Sequence, residues 1–313
     1  MAWLLADVHT WLRRSAFAAN DDIVGLRALG HGEWSQAFGF TVRGRDYVVR
    51  FSALDEDFLK DRRAMAYAGS RLPIPRILEV GRAFDGFYAL AEQAHGAYLD
   101  DLDAAGLRRA LPNLLRALDA AREADLRGTV GFGVWDARGQ APHATWRQAL
   151  LAVADDQPAL RIHGWRRRLA DDPVGWAAFQ AGYERLTTLA DACPADQRWL
   201  VHADLLNFNV LVEVPRVAAV LDWGASLYGD FVFDVAWFVF WQPWYPAWAG
   251  VDFAGEARQH YDRLGLVVPN LAERVRCCAL AIGLDSLAYN AYRGRPAEHI
   301  ASVAQRVRHF ADA

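Results

Sequence analysis

The sequence predicts an α+β fold with two lobes, a small N-terminal β-sheet lobe and a larger, mainly helical C-terminal lobe. Up to residue 92, short runs of apolar and β-branched residues are separated by glycine and proline turns, as in antiparallel strands. Beyond residue 102, apolar residues recur mostly at helical spacing. The 313 residues suffice for two lobes of ordinary size. We therefore predict an N-terminal lobe over residues 1–92, a hinge over 93–97 and a C-terminal lobe over 98–313.

Composition excludes several classes of protein. Hydrophobic residues make up 53% and charged residues 23%, which is typical of a globular chain. The net charge of −4 offers no basic face for nucleic acid. Three cysteines, an odd number without a metal-binding spacing, fit a reducing cytoplasm. The N-terminus lacks a signal-peptide pattern, and the aromatic run 231–250 contains Asp234 and two prolines, so we expect a buried helix there. We expect a cytoplasmic monomer without nucleic-acid or membrane partners.

The N-terminal lobe begins with a predicted amphipathic helix over residues 3–16 and continues with a glycine hairpin within residues 26–40. At the turn of such a hairpin, around Gly32, backbone N–H groups can bind phosphate oxygens, and Ser35 offers a hydroxyl donor. Glycine hairpins without a ligand are common. The phosphate-binding interpretation therefore depends on the loop described below.

The next predicted strand, residues 46–51, places Val48 and Arg50 on one face, because strand side chains alternate. A nucleotide site of the kinase type has an apolar residue over the base and, two residues later, a cation on the phosphates. Val48 and Arg50 fit these roles. The alternative is an arginine that faces solvent from an ordinary strand.

A predicted helix over residues 53–71 supplies three acids, of which we favour Asp61 as the partner of Arg50. Beside it lies Lys60, the only lysine among 33 arginines. We interpret the arginine excess as a compositional bias. The single lysine is either chance, which we favour, or a residue that is kept because it is used.

Residues 72–78 are predicted to start a strand after a stiff proline turn. A further strand over residues 88–92 leads into the hinge, where the backbone of Gln93 and Ala94 would meet the edge of the base. The C-terminal lobe then reads as a series of helices, the first interrupted by Pro112. The basic segment 161–168 is predicted to be a solvated face. The helices are predicted at residues 103–124, which contain Pro112, and at 146–154, 174–192, 231–241, 253–265, 271–293 and 296–311.

The central feature is a polar loop that presents His202, Asp204 and Asn209, followed by Asp222. Apolar runs at residues 199–201, 210–212 and 217–221 bracket these residues, as in a strand-loop-strand unit. The order His-x-Asp, then Asn five residues on and Asp 18 residues on, matches a kinase catalytic loop and its metal-binding acid. Asn209 and Asp222 offer oxygen ligands of the kind that Mg²⁺ prefers. The sequence thus predicts transfer of a nucleotide γ-phosphoryl group to a small-molecule hydroxyl, with Asp204 orienting the acceptor.

These residues resemble the aminoglycoside phosphotransferase family, which has a protein-kinase-like fold. The segments that carry the resemblance are spread over most of the chain, and the last two indicate the hygromycin branch of the family. They are Leu72-Pro73-Ile74-Pro75, Gly131-Phe132-Gly133, Thr145-Trp146-Arg147, Leu200-Val201-His202-Ala203-Asp204, Phe240-Trp241-Gln242-Pro243-Trp244 and Ile282-Gly283-Leu284-Asp285.

The resemblance implies ATP or GTP as phosphoryl donor, with Mg²⁺, and assigns roles residue by residue. Asp204 matches the catalytic aspartate, Asn209 and Asp222 match the metal ligands, and Arg50 stands where the family pattern has a lysine. Structural support of the catalytic loop falls to His202, Asp230 and Asp234. The insert at residues 205–208 is more apolar than the family usually shows.

The implied substrate is a cationic aminoglycoside, with hygromycin B as the first candidate and antibiotic resistance as the consequence. Carboxylates would bind its amines, and we name Asp204 and Asp285; Trp241 and Trp244 are candidates for stacking on its sugars. Two alternatives stay open: a kinase of this fold acting on choline, homoserine or a macrolide, and a catalytically silent nucleotide-binding homologue. A protein kinase is disfavoured, because no activation segment of the Asp-Phe-Gly to Ala-Pro-Glu kind follows Asp222.

Overall fold

The computed structural model describes residues 3–15, 17 and 21–313, and only the backbone of His31. Residues 1, 2, 16 and 18–20 of the predicted N-terminal lobe, including the last residue of its predicted first helix, lie outside the described residues. The helices are α1 (Leu5–Arg14), α2 (Glu56–Ala64), α3 (Ala104–Arg122), α4 (Trp146–Leu151), α5 (Trp165–Ala170), α6 (Pro173–Leu189), α7 (Val232–Trp241), α8 (Phe253–Arg263), α9 (Leu271–Arg293) and α10 (Ala297–Asp312). The strands are β1 (Val24–His31), β2 (Ser35–Val42), β3 (Arg45–Ser52), β4 (Ile77–Ala83), β5 (Gly86–Glu92), β6 (Ala97–Tyr98), β7 (Gly133–Val134), β8 (Trp199–Val201), β9 (Val210–Glu213), β10 (Arg216–Val220) and β11 (Leu227–Gly229).

An antiparallel sheet of five strands, in the order β1-β2-β3-β5-β4, forms the N-terminal part of the fold. Val49 and Phe51 of β3 are buried in its core together with Val8 and Leu12 of α1. The alternation of strand side chains therefore turns the opposite face of β3, which carries Arg50, away from that core.

The C-terminal part is mainly helical and has two apolar cores that share α7. One core joins α6, α7, α9 and α10, and the other packs α3 and α8 against the strands around the predicted catalytic loop. Two small antiparallel sheets, β10-β9-β6 and β7-β11-β8, lie between the helices. Four of their strands, β8 to β11, flank the loops that carry Asp204 and Asp222.

Several predicted boundaries are wrong for identifiable reasons. Pro112 does not interrupt the helix, because Leu111, Leu114 and Leu115 bury α3 on both sides of it and outweigh one missing N–H. The predicted solvated segment 161–168 contains the start of α5, whose Trp165 is buried.

One further boundary differs. The helix predicted over residues 53–71 begins only at Glu56 and ends in a 3-10 turn at residues 65–67. The strand expected to begin within residues 72–78, after a stiff turn, does begin there, at Ile77 after the two prolines.

The predicted limits of the lobes stay a prediction, although β5 ends at Glu92 and β6 begins at Ala97 on either side of the proposed hinge. Within the described part of the chain, no helix is long and apolar enough to cross a membrane.

Candidate active site

Asp204 lies in the loop of residues 202–209, which joins β8 to β9, and Asp222 follows the end of β10. Because β9 and β10 form an antiparallel pair that extends to residues 210 and 220, the two polar loops meet at the same end of the hairpin. The Asp204 carboxylate accepts hydrogen bonds from the side-chain amides of Asn207, at 3.0 Å, and Asn209, at 3.1 Å. The fold therefore brings the three predicted oxygen donors to one region.

The backbone is strained in these two loops. Seven non-glycine residues of the described chain have a left-handed φ, and four of them lie here: Ala203 (63°), Asn207 (64°), Phe208 (67°) and Asp222 (55°). Such conformations cost about 1–3 kcal/mol each and persist only where neighbouring groups hold them. The contacts around the loops are therefore part of the site.

Asp234, near the start of α7, holds the first turn of the catalytic loop. Its carboxylate accepts the backbone N–H groups of His202, at 3.0 Å, and Ala203, at 2.8 Å. Burial raises the pKa of Asp234 to about 6, and the two N–H donors oppose that rise. The sequence-predicted supporting role of Asp234 thus corresponds to two direct hydrogen bonds.

His202 connects the catalytic loop to the segment that carries Asp222. Its Nε2 lies 2.8 Å from the carbonyl oxygen of Leu221, and its Nδ1 accepts the N–H of Asp204 at 3.2 Å. These partners require the neutral ring to carry its proton on Nε2. Burial lowers the pKa of His202 to about 4, so the ring positions the loop and does not take up a proton near neutral pH.

Negative charge accumulates at the centre of the site. Burial, with the charge of Asp222, raises the pKa of Asp204 to about 7. Burial, with the charge of Asp61, raises the pKa of Asp222 to about 6, although Arg50 opposes the rise. Two desolvated carboxylates of this kind favour a bound cation.

The donor atoms present fit a hard divalent cation such as Mg²⁺. The amide nitrogen of Asn209 donates to the backbone carbonyl of Asp204 at 2.8 Å and to its carboxylate. The Oδ1 atom of Asn209 is therefore the one left to ligate a metal, together with the carboxylate of Asp222.

Arg50 is held by the acid that we favoured. Its guanidinium forms an ion pair with Asp61 of α2 and lies over the ring of Phe58, 5.0 Å from the centroid. Burial alone would lower the pKa of Arg50, but the charges of Asp61 and Asp222 outweigh it and raise the pKa overall. Arg50 is therefore a permanent cation beside the carboxylates.

The glycine turn lies at the Arg50 end of the sheet. The N–H of Gly32 donates to the carbonyl of Ser35 at 2.9 Å and closes the turn between β1 and β2. Ser35 pairs with Ser52, and Arg50 pairs with Ala37, so the turn and the guanidinium lie near the same end of β2 and β3.

Of the predicted base-binding residues, Val48 lies on the expected strand face, whereas Gln93 has its N–H bonded within the sheet. Val48 pairs with Ala91 of β5 and is half-buried on the same face as Arg50. The N–H of Gln93 donates to the carbonyl of Asp46 at 3.0 Å, so of its backbone groups only the carbonyl stays available to a nucleotide base. Within the hinge, contact with a base then falls to Ala94 and to backbone carbonyl groups.

Similarity to known proteins decides the family. The model of a phosphotransferase enzyme family matches residues 25–267. Hygromycin-B 4-O-kinase of Escherichia coli is 35% identical over 271 residues, which cover 85% of this chain and 75% of that protein. The chain belongs to this phosphotransferase family.

Solved structures agree with the family assignment. Aminoglycoside phosphotransferase APH(4)-Ia superposes with a TM-score of 0.84 at 32% identity, covering 99% of both chains. A thermostable mutant of that enzyme, in a ternary complex with AMP-PNP and hygromycin B, gives 0.83 at 31% identity, covering 98% of both chains. The predicted kinase-like α+β fold and the predicted class, a phosphotransferase with an alcohol acceptor, are confirmed.

Asp285, a predicted substrate residue, stands on α9 with its side chain reached by solvent. Protein still surrounds it closely enough that desolvation raises the pKa of its carboxyl to about 6. Its role toward the substrate stays a prediction.

The two tryptophans differ. Trp244 is 39% exposed and stacks on Phe240 with a centroid distance of 6.1 Å. Trp241 is half-buried, packs against both apolar cores and contacts Trp244 edge-on at 5.0 Å. Of the two, Trp244 has the surface that a sugar could cover, whereas Trp241 mainly completes the core.

Asp230 supports the site from further away than we expected. Its two oxygens accept hydrogen bonds from Arg274 at 2.6 and 2.8 Å, and one also accepts the N–H of Val232. Asp230 thereby joins α7 to α9, while Asp234 makes the contacts to the catalytic loop. The thiols of Cys193 and Cys278 lie within 4.8 Å of an Asp230 oxygen, but Arg274 already occupies that carboxylate.

Asp100 is a site residue that the sequence did not single out. Its carboxylate accepts the backbone N–H groups of Asn207, at 2.9 Å, and Phe208, at 3.2 Å, and the hydroxyl of Tyr245, at 2.8 Å. It thus stabilises the left-handed turn of the loop, and its charge helps to raise the pKa of Asp204. The only sequence signal is an acid shortly after the hinge, which resembles any surface acid.

Arg161 is the second missed residue, since we assigned its segment to a solvated face. Its guanidinium binds both oxygens of Asp57 at 3.1 Å and lies 4.9 Å from the ring centroid of Trp34 in the glycine turn. Burial opposes the charge of Arg161, but the hydrogen bonds and charge of Asp57 outweigh burial and raise the pKa of Arg161. The charge of Asp222 makes a smaller contribution in the same direction. Arg161 therefore belongs to the cleft, and it neutralises the Asp57 carboxylate that would otherwise face a cationic ligand.

Proposed function

We propose that this phosphotransferase transfers the γ-phosphoryl group of ATP, or of GTP, to a hydroxyl group of an aminoglycoside, with hygromycin B as the first candidate. The observation that carries the proposal is the meeting of Asp204, Asn209 and Asp222 at one end of the β9–β10 hairpin. The hygromycin-B kinase and the hygromycin B complex among its relatives supply the acceptor.

In this proposal Asp204 orients the acceptor hydroxyl and takes its proton. A carboxyl group whose pKa lies near 7 is well matched to this task, because a large fraction is ionised near neutral pH and is still basic enough to accept a proton. Asn207 and Asn209 fix the direction of the carboxylate through their amide groups. The catalytic gain comes from positioning and from charge stabilisation.

The donor nucleotide would lie between the sheet and the hinge. Val48 would cover the base, Ala94 would meet its edge, and the turn at Gly32 and Ser35 would cover the phosphates. Arg50 would hold phosphate oxygens through its planar guanidinium, kept in place by Asp61. Gln93 would contribute its carbonyl group, since its N–H is used within the sheet.

Mg²⁺ would be held by Asn209 and Asp222, whose oxygens fit it. When bound, it supplies positive charge that offsets the charge of the phosphates. Arg50 adds a second, fixed positive charge on the protein side.

The acceptor side would use Asp285 for an amine and Trp244, with the edge of Trp241, for a sugar face. A polycationic ligand also suits the negative charge around Asp204 and Asp222. We further propose that the protein acts as a cytoplasmic monomer, where ATP is available, and that residues 93–97 form the hinge between its lobes.

Two alternatives are separable by experiment. A kinase acting on choline, homoserine or a macrolide would leave the aminoglycoside unmodified and would add phosphate to one of those alcohols. A silent homologue would bind nucleotide without transferring phosphate to any of them. An aminoglycoside carries several ammonium groups, more than choline, homoserine or a macrolide, so the solvent-reached carboxyl of Asp285 favours the aminoglycoside only if it binds one of them.

Resistance profiling tests the proposal. Cells expressing the chain are compared with cells expressing Asp204→Asn on a panel of aminoglycosides, and the purified proteins are offered the same panel together with choline, homoserine and a macrolide. We expect protection against hygromycin B that is absent in the variant. Protection by the variant equal to that by the parent, or no phosphorylated aminoglycoside under conditions where ATP binds, would refute the proposal.

A further inference from the structure

The only lysine of the chain is buried beside the candidate metal-binding segment. Lys60 lies in the middle of α2 and is 0% exposed. Its Nζ donates to the carbonyl of Gly224 at 2.6 Å and to the carbonyl of Ser226 at 3.1 Å. The ammonium also lies over the ring of Trp135, 4.6 Å from the centroid. This environment favours the alternative that we ranked second from the sequence, a lysine kept because it is used, over chance.

The environment explains why this position is not arginine in a chain with 33 arginines. Nζ contacts two carbonyl oxygens and the face of Trp135, and Trp135 and Ser226 are themselves 0% exposed. A compact ammonium with three freely oriented donors fits such a site, whereas a planar guanidinium directs its donors in one plane and needs more room. Burial lowers the pKa of Lys60 to about 8, so the group is still mainly charged at neutral pH.

The neighbouring residue acts on the same segment. One oxygen of Asp61 accepts the N–H of Trp223 at 2.7 Å, and the other pairs with Arg50. Lys60 and Asp61 therefore bind three backbone groups of residues 223–226 from one turn of α2. The same turn fixes the cation that we assign to the phosphates.

The segment needs such anchoring because Asp222 is strained. Asp222 has φ 55° and ψ 76°, a left-handed conformation that an aspartate adopts only where its surroundings hold it. Its own carboxylate makes one long contact, 3.4 Å from the N–H of Gly224. Residues 223, 224 and 226 are therefore held from outside the segment by backbone contacts with Lys60 and Asp61 of α2.

We propose that Lys60 is a positioning residue, which holds residues 222–226 in the conformation that presents Asp222 for metal-dependent nucleotide binding. The inference rests on the proposed function, since it assumes that Asp222 ligates the metal. Lys60 acts through the backbone and touches neither substrate nor nucleotide.

The test compares nucleotide affinity with and without Mg²⁺. The variants are Lys60→Met, Lys60→Gln and Lys60→Arg, and the matched control is Arg62→Met, which changes an exposed cation on the same helix. Affinity for a non-hydrolysable ATP analogue is measured by calorimetry in excess Mg²⁺ and again in EDTA. Thermal unfolding and the fraction of binding-competent protein are recorded in parallel.

We expect all three Lys60 variants to lose about tenfold or more of the Mg²⁺-dependent gain in affinity, with affinity in EDTA nearly unchanged. Lys60→Arg should not restore the gain, because a planar guanidinium is larger than an ammonium and cannot make the same contacts with the two carbonyls and the ring of Trp135. A residue that merely stabilised the fold would lower the melting temperature and the competent fraction, but would leave the ratio of the two affinities unchanged. If Lys60→Met does not fold, Lys60→Gln, which keeps a donor and much of the length, decides.

The outcomes separate this inference from the proposed function. The inference would be overturned if the Lys60 variants showed the same Mg²⁺-dependent gain in nucleotide affinity as the parent and as Arg62→Met. A parent that shows the gain but phosphorylates no aminoglycoside would refute the proposed function, while loss of the gain in the variants would still support the role of Lys60. Absence of any Mg²⁺-dependent gain in the parent would overturn both.

Discussion

At the scale of single residues, the site is a concentration of negative charge that the protein only partly neutralises. Burial and mutual repulsion raise the pKa of Asp204 and Asp222, while Arg50 is paired with Asp61. Residues that bind a cation and a phosphorylated ligand lower the stability of the protein when those ligands are absent. The charge of these two carboxylates should therefore be visible in both stability and activity.

The first prediction concerns the stability of Asp204→Asn. The folded-state pKa of Asp204 is raised from 3.8 to about 7, so its contribution to stability is complete below pH 4 and is lost as pH rises through 7. The neutral side chain in Asp204→Asn cannot ionise, so the variant does not lose stability as pH rises. One of the two side-chain amides of Asn207 and Asn209 then lacks an acceptor. We expect the melting temperature of the metal-free variant to exceed that of the parent by about 2–4 °C above neutral pH.

Differential scanning calorimetry across pH measures this difference, with the exposed Asp262→Asn as the control. The advantage of Asp204→Asn should shrink as pH falls toward 4. A variant that melts below the parent at slightly alkaline pH would contradict the assigned charge.

The second prediction concerns the pH dependence of the reaction. Protonated Asp204 cannot accept the hydroxyl proton, so kcat/KM should fall on the acidic side of an apparent pKa at or below about 7, since bound cations shift it downward. The charge of Asp222 helps to raise the pKa of Asp204, so the apparent value depends on both carboxylates. Initial rates at saturating Mg²⁺ across the pH range measure it. A rate that stays constant well below pH 5 would show that neither carboxylate has to be ionised.

Sequence could identify residues whose roles depend on local spacing. Asp204, Asn209 and Asp222 follow from the order of the loop, and Arg50 follows from strand alternation. Asp100 and Arg161 could not be found in this way, because their partners lie 107 and 104 residues away along the chain. A carboxylate that caps a distant loop and an arginine that crosses to a distant helix carry no local signature.

At the scale of elements, α7 supports the catalytic loop through one buried carboxylate. Asp234 satisfies two consecutive N–H groups where the chain turns into the left-handed conformation of Ala203. The sequence predicted α7 correctly from its apolar run, and the family pattern assigned the role of Asp234. The continuity of α3 through Pro112 was not predictable, because it depends on tertiary packing of the surrounding leucines.

The third prediction is that Asp234→Ala destabilises the protein and disables it. Two buried N–H groups lose their acceptor, which should lower the free energy of unfolding by about 2–5 kcal/mol. The loop then loses its fixed turn, and kcat should fall more than the affinity for nucleotide. Chemical denaturation with the exposed Asp262→Ala as control, together with steady-state kinetics of the folded protein, would check both effects. Unfolding and kcat indistinguishable from those of the control would contradict the role of Asp234.

At the scale of the whole molecule, charged contacts join the glycine turn to the C-terminal part. Glu33 pairs with Arg293 and Arg295, and the guanidinium groups of Arg161 and Arg293 lie 4.9 and 5.4 Å from the ring centroid of Trp34. The kinase-like architecture was predictable from the order of elements. This contact was not, since it joins residues from three separate segments.

The fourth prediction is that Arg161→Ala weakens nucleotide binding. The glycine turn loses one of its two stacking partners, and we expect the KM for ATP to rise about two- to fivefold, with a smaller difference at high salt because the pairs are partly exposed. Arg161→Lys should behave like Arg161→Ala, because an ammonium neither stacks nor binds both oxygens of Asp57 in the same way. Arg167→Ala, an exposed change in the same basic segment, is the control. An unchanged KM in both Arg161 variants would show that the contact has no part in binding.

The central claim is that Asp204 directs a phosphoryl group from a nucleotide to an aminoglycoside hydroxyl. Mass spectrometry of hygromycin B after incubation with ATP, Mg²⁺ and either the parent protein or Asp204→Asn tests it most directly. The account predicts that the parent adds one phosphate per molecule of hygromycin B and that the variant is slower by about 10²–10⁴-fold. Transfer by the variant at the parental rate, or no transfer by a parent that binds the nucleotide, would contradict it.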